Sequence, residues 1–203
     1  MIRLGLTGSI ATGKSTVLAQ FAALGVPVFS ADEAVHALYE GDAVEPVEAL
    51  FPGVAPNGVI DRTLLSARLL EQPQRIGELE AAVHPLVRRK IGEFLRSAEE
   101  SGAALAVVDI PLLFETGFDY GVDAVVVTVC DPEIQRARAL ARPGMTVEKF
   151  LAILARQMPQ EEKRERADYV IDTSGSLEET NRMAKTLAQS LIAGTALLEG
   201  VRP

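Results

Sequence analysis

Gly8-Ser9-Ile10-Ala11-Thr12-Gly13-Lys14-Ser15-Thr16 places two glycines, a lysine and a hydroxyl in the order G-x-x-x-x-G-K-[ST]. Glycines at these positions let the backbone curl, so that successive N–H groups aim at phosphate oxygens. A helix starting at the end of the loop adds its partial positive charge. Lys14 is expected to reach the β- and γ-phosphates of a nucleotide, and the Ser15 hydroxyl to take one Mg²⁺ position. Gly8, Ala11, Thr12, Gly13, Lys14, Ser15 and Thr16 form the candidate nucleotide site. The local context agrees. Ile2 to Thr7 reads as an apolar strand, and Ser15 to Leu24 as an amphipathic helix stopped by Gly25 and Pro27.

Further groups could take part in the same chemistry. Ser30-Ala31-Asp32 follows a second apolar run, and a carboxylate there could accept the proton of an attacking hydroxyl. Alternatively, Asp32 or Ser30 caps the next helix. Asp109 ends the run Val107-Val108-Asp109, where phosphate-loop enzymes carry an acidic residue that orders Mg²⁺ or its waters. After it, Pro111-Leu112-Leu113-Phe114 is apolar for a loop, and could line an organic substrate or simply be core. Arg138 and Arg142 lie four apart in a helical stretch and are expected to share a face, where they could neutralise a transferring phosphoryl group. His84-Pro85 and Arg88-Arg89-Lys90 fall in a helical region. An anionic acceptor or a solvated face are both open there. Asp172-Thr-Ser-Gly175 matches D-x-x-G but follows the last strand, and no N-K-x-D motif accompanies it. It is expected to lie against a nucleotide base.

These groups need a scaffold. The chain has 203 residues, 48% of them hydrophobic, enough for one core with small appendages. A net charge of −8 argues against general nucleic-acid binding, which demands a basic face. A lone cysteine, Cys130 in an apolar run, excludes an internal disulfide and reads as a small core residue. No apolar run reaches membrane-spanning length, and no signal-peptide pattern opens the chain. The expectation is a cytoplasmic protein without membrane or nucleic-acid partners, a monomer or a small homo-oligomer.

Short Val/Ile-rich runs at 2–7, 26–29, 105–110, 123–129 and 168–171 read as strands buried on both faces. Helical stretches are expected at 15–24, 31–40, 61–71, 75–100, 132–142, 146–157 and 176–193. The alternation predicts an α/β fold with a parallel sheet between helical layers. Asp131-Pro132 and Ser176-Leu-Glu-Glu179 read as helix starts. Two stretches interrupt the pattern. Residues 31–103 read as a helical insert, and 136–166 as a helical lid. The core then comprises 1–30, 104–135 and 167–203. The tail from Gly194 is weakly patterned and expected to fray.

Taken in order, these residues resemble the dephospho-CoA kinase family. The likeness rests on Gly5-Leu-Thr-Gly-Ser-Ile-Ala-Thr-Gly-Lys-Ser-Thr16, Ser30-Ala-Asp32-Glu-Ala-Val-His36 and His84-Pro-Leu-Val-Arg88. Val108-Asp-Ile-Pro-Leu-Leu-Phe-Glu115, Arg138-x-x-x-Arg142, Gln157 and Ala167-Asp-Tyr-Val-Ile-Asp172 complete it. The resemblance implies a P-loop, nucleoside-monophosphate-kinase-like fold and transfer of phosphate from ATP, with Mg²⁺, to the ribose 3′-hydroxyl of dephospho-CoA. It implies Asp32 as base, and Lys14, Arg138 and Arg142 around the transferred group. It further implies Ser15 and Asp109 toward Mg²⁺, and His84, Arg88, Pro111, Leu112, Leu113 and Phe114 toward the acceptor. Another small-molecule kinase on this scaffold, or a nucleotide-dependent switch, are the alternatives. The chain departs from the family pattern at Ile153, where an arginine is common, and near Thr173-Ser174, where an asparagine is usual.

Overall fold

A computed structural model describes residues 1–194. The strands are β1 (Ile2–Gly8), β2 (Val28–Ser30), β3 (Leu105–Asp109), β4 (Ala124–Val129) and β5 (Tyr169–Asp172), in the sheet order β2-β3-β1-β4-β5. The ladders of β1 with β3 and β4, and of β4 with β5, are parallel. β1 is central. The chain leaves it toward β2 and β3 on one side and comes to β4 and β5 on the other. The P-loop therefore opens from the carboxyl end of the strand where the winding direction reverses, the place where ligands bind in open α/β sheets.

The chain divides into two compact units, one built from Met1–Phe29 with the residues from Leu95 onward, the other from Ser30–Phe94. In the first, the helices are α1 (Lys14–Ala23), the end of α5 (Ile76–Glu100), α6 (Leu113–Thr116), α7 (Pro132–Leu140), α8 (Val147–Leu154), α9 (Gln160–Arg166) and α10 (Leu177–Ala193). Leu4, Leu6, Val107, Val126 and Ile171 of the sheet pack with Val17 and Phe21 of α1 and Leu187 and Leu191 of α10. That layer clamps α1, and with it the P-loop, onto β1. Cys130 is 7% exposed at the end of β4. Burial pushes its thiol up, against a smaller lowering by Arg138. A thiol reagent is expected to label native Cys130 about tenfold more slowly than in the urea-unfolded chain, because the thiolate is the reactive form.

The second unit holds α2 (Ala31–Leu38), α3 (Val44–Leu50), α4 (Arg62–Glu71), a 3-10 turn at Pro73–Arg75 and the larger part of α5. No strand lies between β2 and β3. Along α5, Leu79, Val83, Val87 and Ile91 are buried at spacings of four, and this apolar stripe carries the helix through Pro85. Asp61 caps α4 by accepting from the N–H groups of Thr63 and Leu64. The carboxylate of Glu48 accepts from Gly53 and Ala55 N–H groups and closes the turn after α3.

Several boundaries differ from the sequence expectation. β2 starts at Val28 because Pro27 has no N–H, although its carbonyl accepts from Val107. α7 ends at Leu140 with Ala141 as cap, so Arg142 sits beyond the helix. Pro143 is the reason, since the residue before a proline is driven out of the helical region. α8 ends at Leu154, and Pro159 then starts α9, a helix the charge pattern concealed. α3 and α6 were likewise too short to show periodicity. α10 follows its capping box and ends on Gly194 in the left-handed region. The fraying expected beyond Gly194 falls outside the described residues.

Candidate active site

The P-loop is held by side chains that come from far along the chain. A Cβ on Gly8 would lie 2.2 Å from Thr128 Oγ1 and 2.7 Å from Thr12 Oγ1, so only glycine fits there. The space is filled by a buried hydroxyl pair, Thr12 Oγ1 to Thr128 Oγ1 at 2.8 Å. Ala11 takes φ 61° and Gly13 φ 83°, which turns successive peptides inward. Ala11 carries this conformation at some strain, as phosphate-cradling loops can. The Ile10 N–H donates to Gln157 Oε1 at 2.9 Å, and the Ile10 carbonyl accepts from Gln135 Nε2 at 2.7 Å. Thr173 Oγ1 donates to the Thr12 carbonyl at 2.9 Å. Thr12 N–H bonds the Ser9 carbonyl, and Thr16 N–H that of Gly13. Four N–H groups, those of Ala11, Gly13, Lys14 and Ser15, have no acceptor among the described residues. They form a ready cradle for an anion at the start of α1.

Register decides what meets the lysine. Leu6 of β1 pairs with Asp109 of β3, so the carboxylate ends beside the P-loop. Lys14 Nζ and Asp109 Oδ1 form a salt bridge with side chains 14% and 6% exposed. Asp109 and Ser15 thus lie on either side of Lys14, one in space and one in sequence. Both are hard oxygen donors of the kind Mg²⁺ prefers. Among the described residues no three His, Cys, Asp or Glu side chains group as a self-contained metal cage.

The two arginines expected in the lid are placed differently. Arg138 is half-buried and donates from Nη1 to Thr173 Oγ1 at 3.0 Å and from Nη2 to the Thr173 carbonyl at 2.8 Å. It braces the loop after β5 under the P-loop. Arg142 is exposed, and its guanidinium has no partner among the described residues. Pro111 to Phe114 leads from Asp109 into α6. Leu113 is buried, Leu112 is 38% exposed and Phe114 is half-buried. Thr7 Oγ1 donates to the Pro111 carbonyl at 3.4 Å.

In the second unit, Asp32 lies in the first turn of α2 with its side chain exposed. The cap of that helix is Ser30, whose Oγ accepts from Glu33 N–H at 3.3 Å. That leaves the Asp32 carboxylate without a capping duty. It lines a cavity of about 550 Å³ together with His36, Tyr39, Arg62, Ser66 and Leu69. Burial raises the Tyr39 phenol, and the nearby Arg62 charge partly offsets it. The cavity reaches α5 at Leu79. His84 and Arg88 lie further along α5, half-buried, and are not part of its lining.

Sequence reasoning did not find Thr128, Gln135, Tyr39 or Arg62, and it set Thr173 in a loop against the base rather than on the P-loop backbone. Thr128 carried a weak signal, as a hydroxyl inside an otherwise apolar strand. Arg62 carried another, one residue after a capping Asp.

A family model described as dephospho-CoA kinase matches residues 2–179. A Rhizobium meliloti protein named dephospho-CoA kinase is 56% identical over 194 residues, covering 96% of this chain and 100% of that protein. Among solved structures, a Thermus thermophilus protein is 38% identical, with 94% of this chain and 97% of the other covered at a TM-score of 0.79. A dephospho-CoA kinase from Campylobacter jejuni is 26% identical over 93% of this chain and 96% of its own, with a TM-score of 0.67.

Proposed function

The chain belongs to the dephospho-CoA kinase family, and from that membership we propose that it transfers the γ-phosphoryl group of ATP to the ribose 3′-hydroxyl of dephospho-CoA, giving CoA and ADP. The observation that carries the reading is the cradle of four N–H groups beside the Lys14–Asp109 pair. Its donors are complementary in charge to the β- and γ-phosphate oxygens.

Phosphoryl transfer needs positioning and charge neutralisation more than covalent chemistry. In this reading the P-loop N–H groups hold the phosphates, and Lys14 turns from Asp109 toward the γ-phosphate. Asp32 takes the proton of the 3′-hydroxyl as its oxygen bonds to the γ-phosphorus. The bond from that phosphorus to the β–γ bridging oxygen breaks, and ADP leaves with the electron pair. Arg142 neutralises charge on the transferring group, while Arg138 holds the Thr173 loop in place. Ser15 through its hydroxyl and Asp109 through a water would hold Mg²⁺, which supplies charge neutralisation to the phosphates when bound.

The acceptor is assigned to the insert, residues 31–103, and to Pro111–Phe114, with His84 and Arg88 as further acceptor-side groups. The cavity around Asp32 supports this. Its volume suits a small organic ligand, and Arg62 offers a cation to a phosphorylated one. Residues 136–166 act as the lid, whose closure would keep water from the γ-phosphate. The remaining residues form the nucleotide-binding core. The reading places the protein in the cytoplasm, as a monomer or small homo-oligomer. In support, no helix among the described residues is long and apolar enough to cross a membrane.

The test is incubation with ATP, Mg²⁺ and dephospho-CoA, with products resolved by chromatography. CoA and ADP are expected in equal amounts. The same assay with shikimate, adenylate and cytidylate is expected to give no more ADP than ATP alone. ADP formed only with one of those acceptors would move the chain to another substrate on the same scaffold.

A further inference from the structure

Lys163 is completely buried, and its ammonium meets Glu115 Oε1 at 2.8 Å. The Glu115 side chain is 15% exposed, and Oε1 also accepts the Met158 N–H at 2.9 Å. Glu115 Oε2 is buried with no hydrogen-bond partner, and the ammonium is out of line for a hydrogen bond to its counter-ion. This is a poor arrangement for stability alone. Two charges have left water without full replacement of their hydrogen bonds, and an apolar pair of similar volume often serves a fold as well or better.

The partners join two particular segments. Glu115 lies on α6, directly after Pro111–Phe114. Lys163 lies on α9, where the lid returns to the sheet. α9 and the turn before it are fixed to the nucleotide side by independent bonds. Gln157 accepts from Ile10 of the P-loop. Gln160 Oε1 accepts the Cys130 N–H at 2.9 Å, and its Nε2 donates to Gln135 Oε1 at 3.0 Å. By contrast, the hydrogen bonds that tie Pro111–Phe114 to the core among the described residues are limited to the long Thr7 bond to Pro111, while Leu113 packs near Gly5.

We propose that Lys163 and Glu115 are positioning residues, a buried strap that ties the Pro111–Phe114 loop to the frame holding the P-loop and so sets the acceptor's place relative to the nucleotide. This rests on the reading that the loop meets dephospho-CoA. Losing either charge frees the loop while Gln157 and Gln160 keep the nucleotide side in order. The KM for dephospho-CoA then rises about tenfold, below the roughly hundredfold that a 1 Å misplacement can cost. The KM for ATP stays within about twofold, since nothing that touches the P-loop has changed.

The experiment compares Lys163→Met, Glu115→Gln, the double variant and Leu112→Ala in the full chain. It reads kcat, both KM values and Tm for each. Each single variant is expected to raise the acceptor KM and lower Tm. The double variant leaves no uncompensated charge, so Tm recovers while the acceptor KM stays high. It also carries the test if a single variant fails to fold. Leu112→Ala is expected to raise the acceptor KM at unchanged Tm. An acceptor KM that returns to normal with Tm in the double variant makes the pair purely structural and overturns the proposal. So does an unchanged acceptor KM in all three charge variants while Leu112→Ala raises it. An unchanged KM in Leu112→Ala removes the loop from the acceptor site, and the strap's proposed role falls with that reading.

Discussion

Asp32→Asn is expected to lower kcat by roughly two to four orders of magnitude while ATP binds as in the unchanged protein. The size follows from the role. A side chain that takes the proton of the attacking hydroxyl contributes about that much, and an amide of the same shape cannot do it. The structure makes the substitution a clean one. Asp32 is exposed and Ser30 caps α2, so Asn at 32 removes no helix cap. The N–H groups assigned to ATP belong to residues 11–15, which the change leaves intact. Titration calorimetry with a non-hydrolysable ATP analogue gives the binding, and steady-state assays with dephospho-CoA give kcat. A variant that keeps more than a tenth of the wild-type kcat would show that Asp32 is not the base.

How much of this was readable beforehand depended on sequence distance. The P-loop is nine consecutive residues whose chemistry and geometry are written together. Asp109 was legible because an acidic residue closing an apolar strand is unusual in itself, and its register with Leu6 brings it to Lys14. The supporting contacts were not legible, even at Gln157 and Thr173, which the family pattern and the D-x-x-G match had marked. Gln157 meets Ile10, Gln135 also meets Ile10, and Thr173 meets Thr12 across separations of 147, 125 and 161 residues. No local pattern marks a polar side chain that becomes useful only after the sheet has formed. Lys163 shows the limit best. In a run reading Gln-Glu-Glu-Lys-Arg-Glu-Arg it looks like any solvated helix face, yet it is fully buried and its neighbours are not. The choice between Asp32 and Ser30 as helix cap was open in sequence, since both residue types cap. Backbone geometry settled it for Ser30, which is extended at φ −105° and ψ 118°.

Arg142 and Arg138 give the second large effect. Arg142→Ala is expected to lower kcat about a thousandfold or more, the range for an arginine that neutralises a transferring phosphoryl group. Arg138→Ala is expected to act differently. Its guanidinium is already committed to Thr173, and Thr173 in turn bonds Thr12 of the P-loop. Losing those charge-assisted bonds removes about 1.5–3 kcal/mol of stability, and a slackened P-loop raises the KM for ATP more than it lowers kcat. Sequence spacing alone put both residues on one helical face, which would have made them equivalent. Pro143 ends α7 early and separates them, leaving Arg142 in a turn with an exposed side chain and a glycine two residues on. That is the setting of a group that swings rather than one that braces. Ile153, where the family pattern commonly has an arginine, leaves one cation fewer within residues 136–166 and raises the weight on Arg142. Steady-state kinetics and thermal unfolding of the two variants decide between the roles. If Arg142→Ala stays within tenfold of the wild-type kcat, while Arg138→Ala loses turnover at unchanged Tm and ATP affinity, the assignments are reversed.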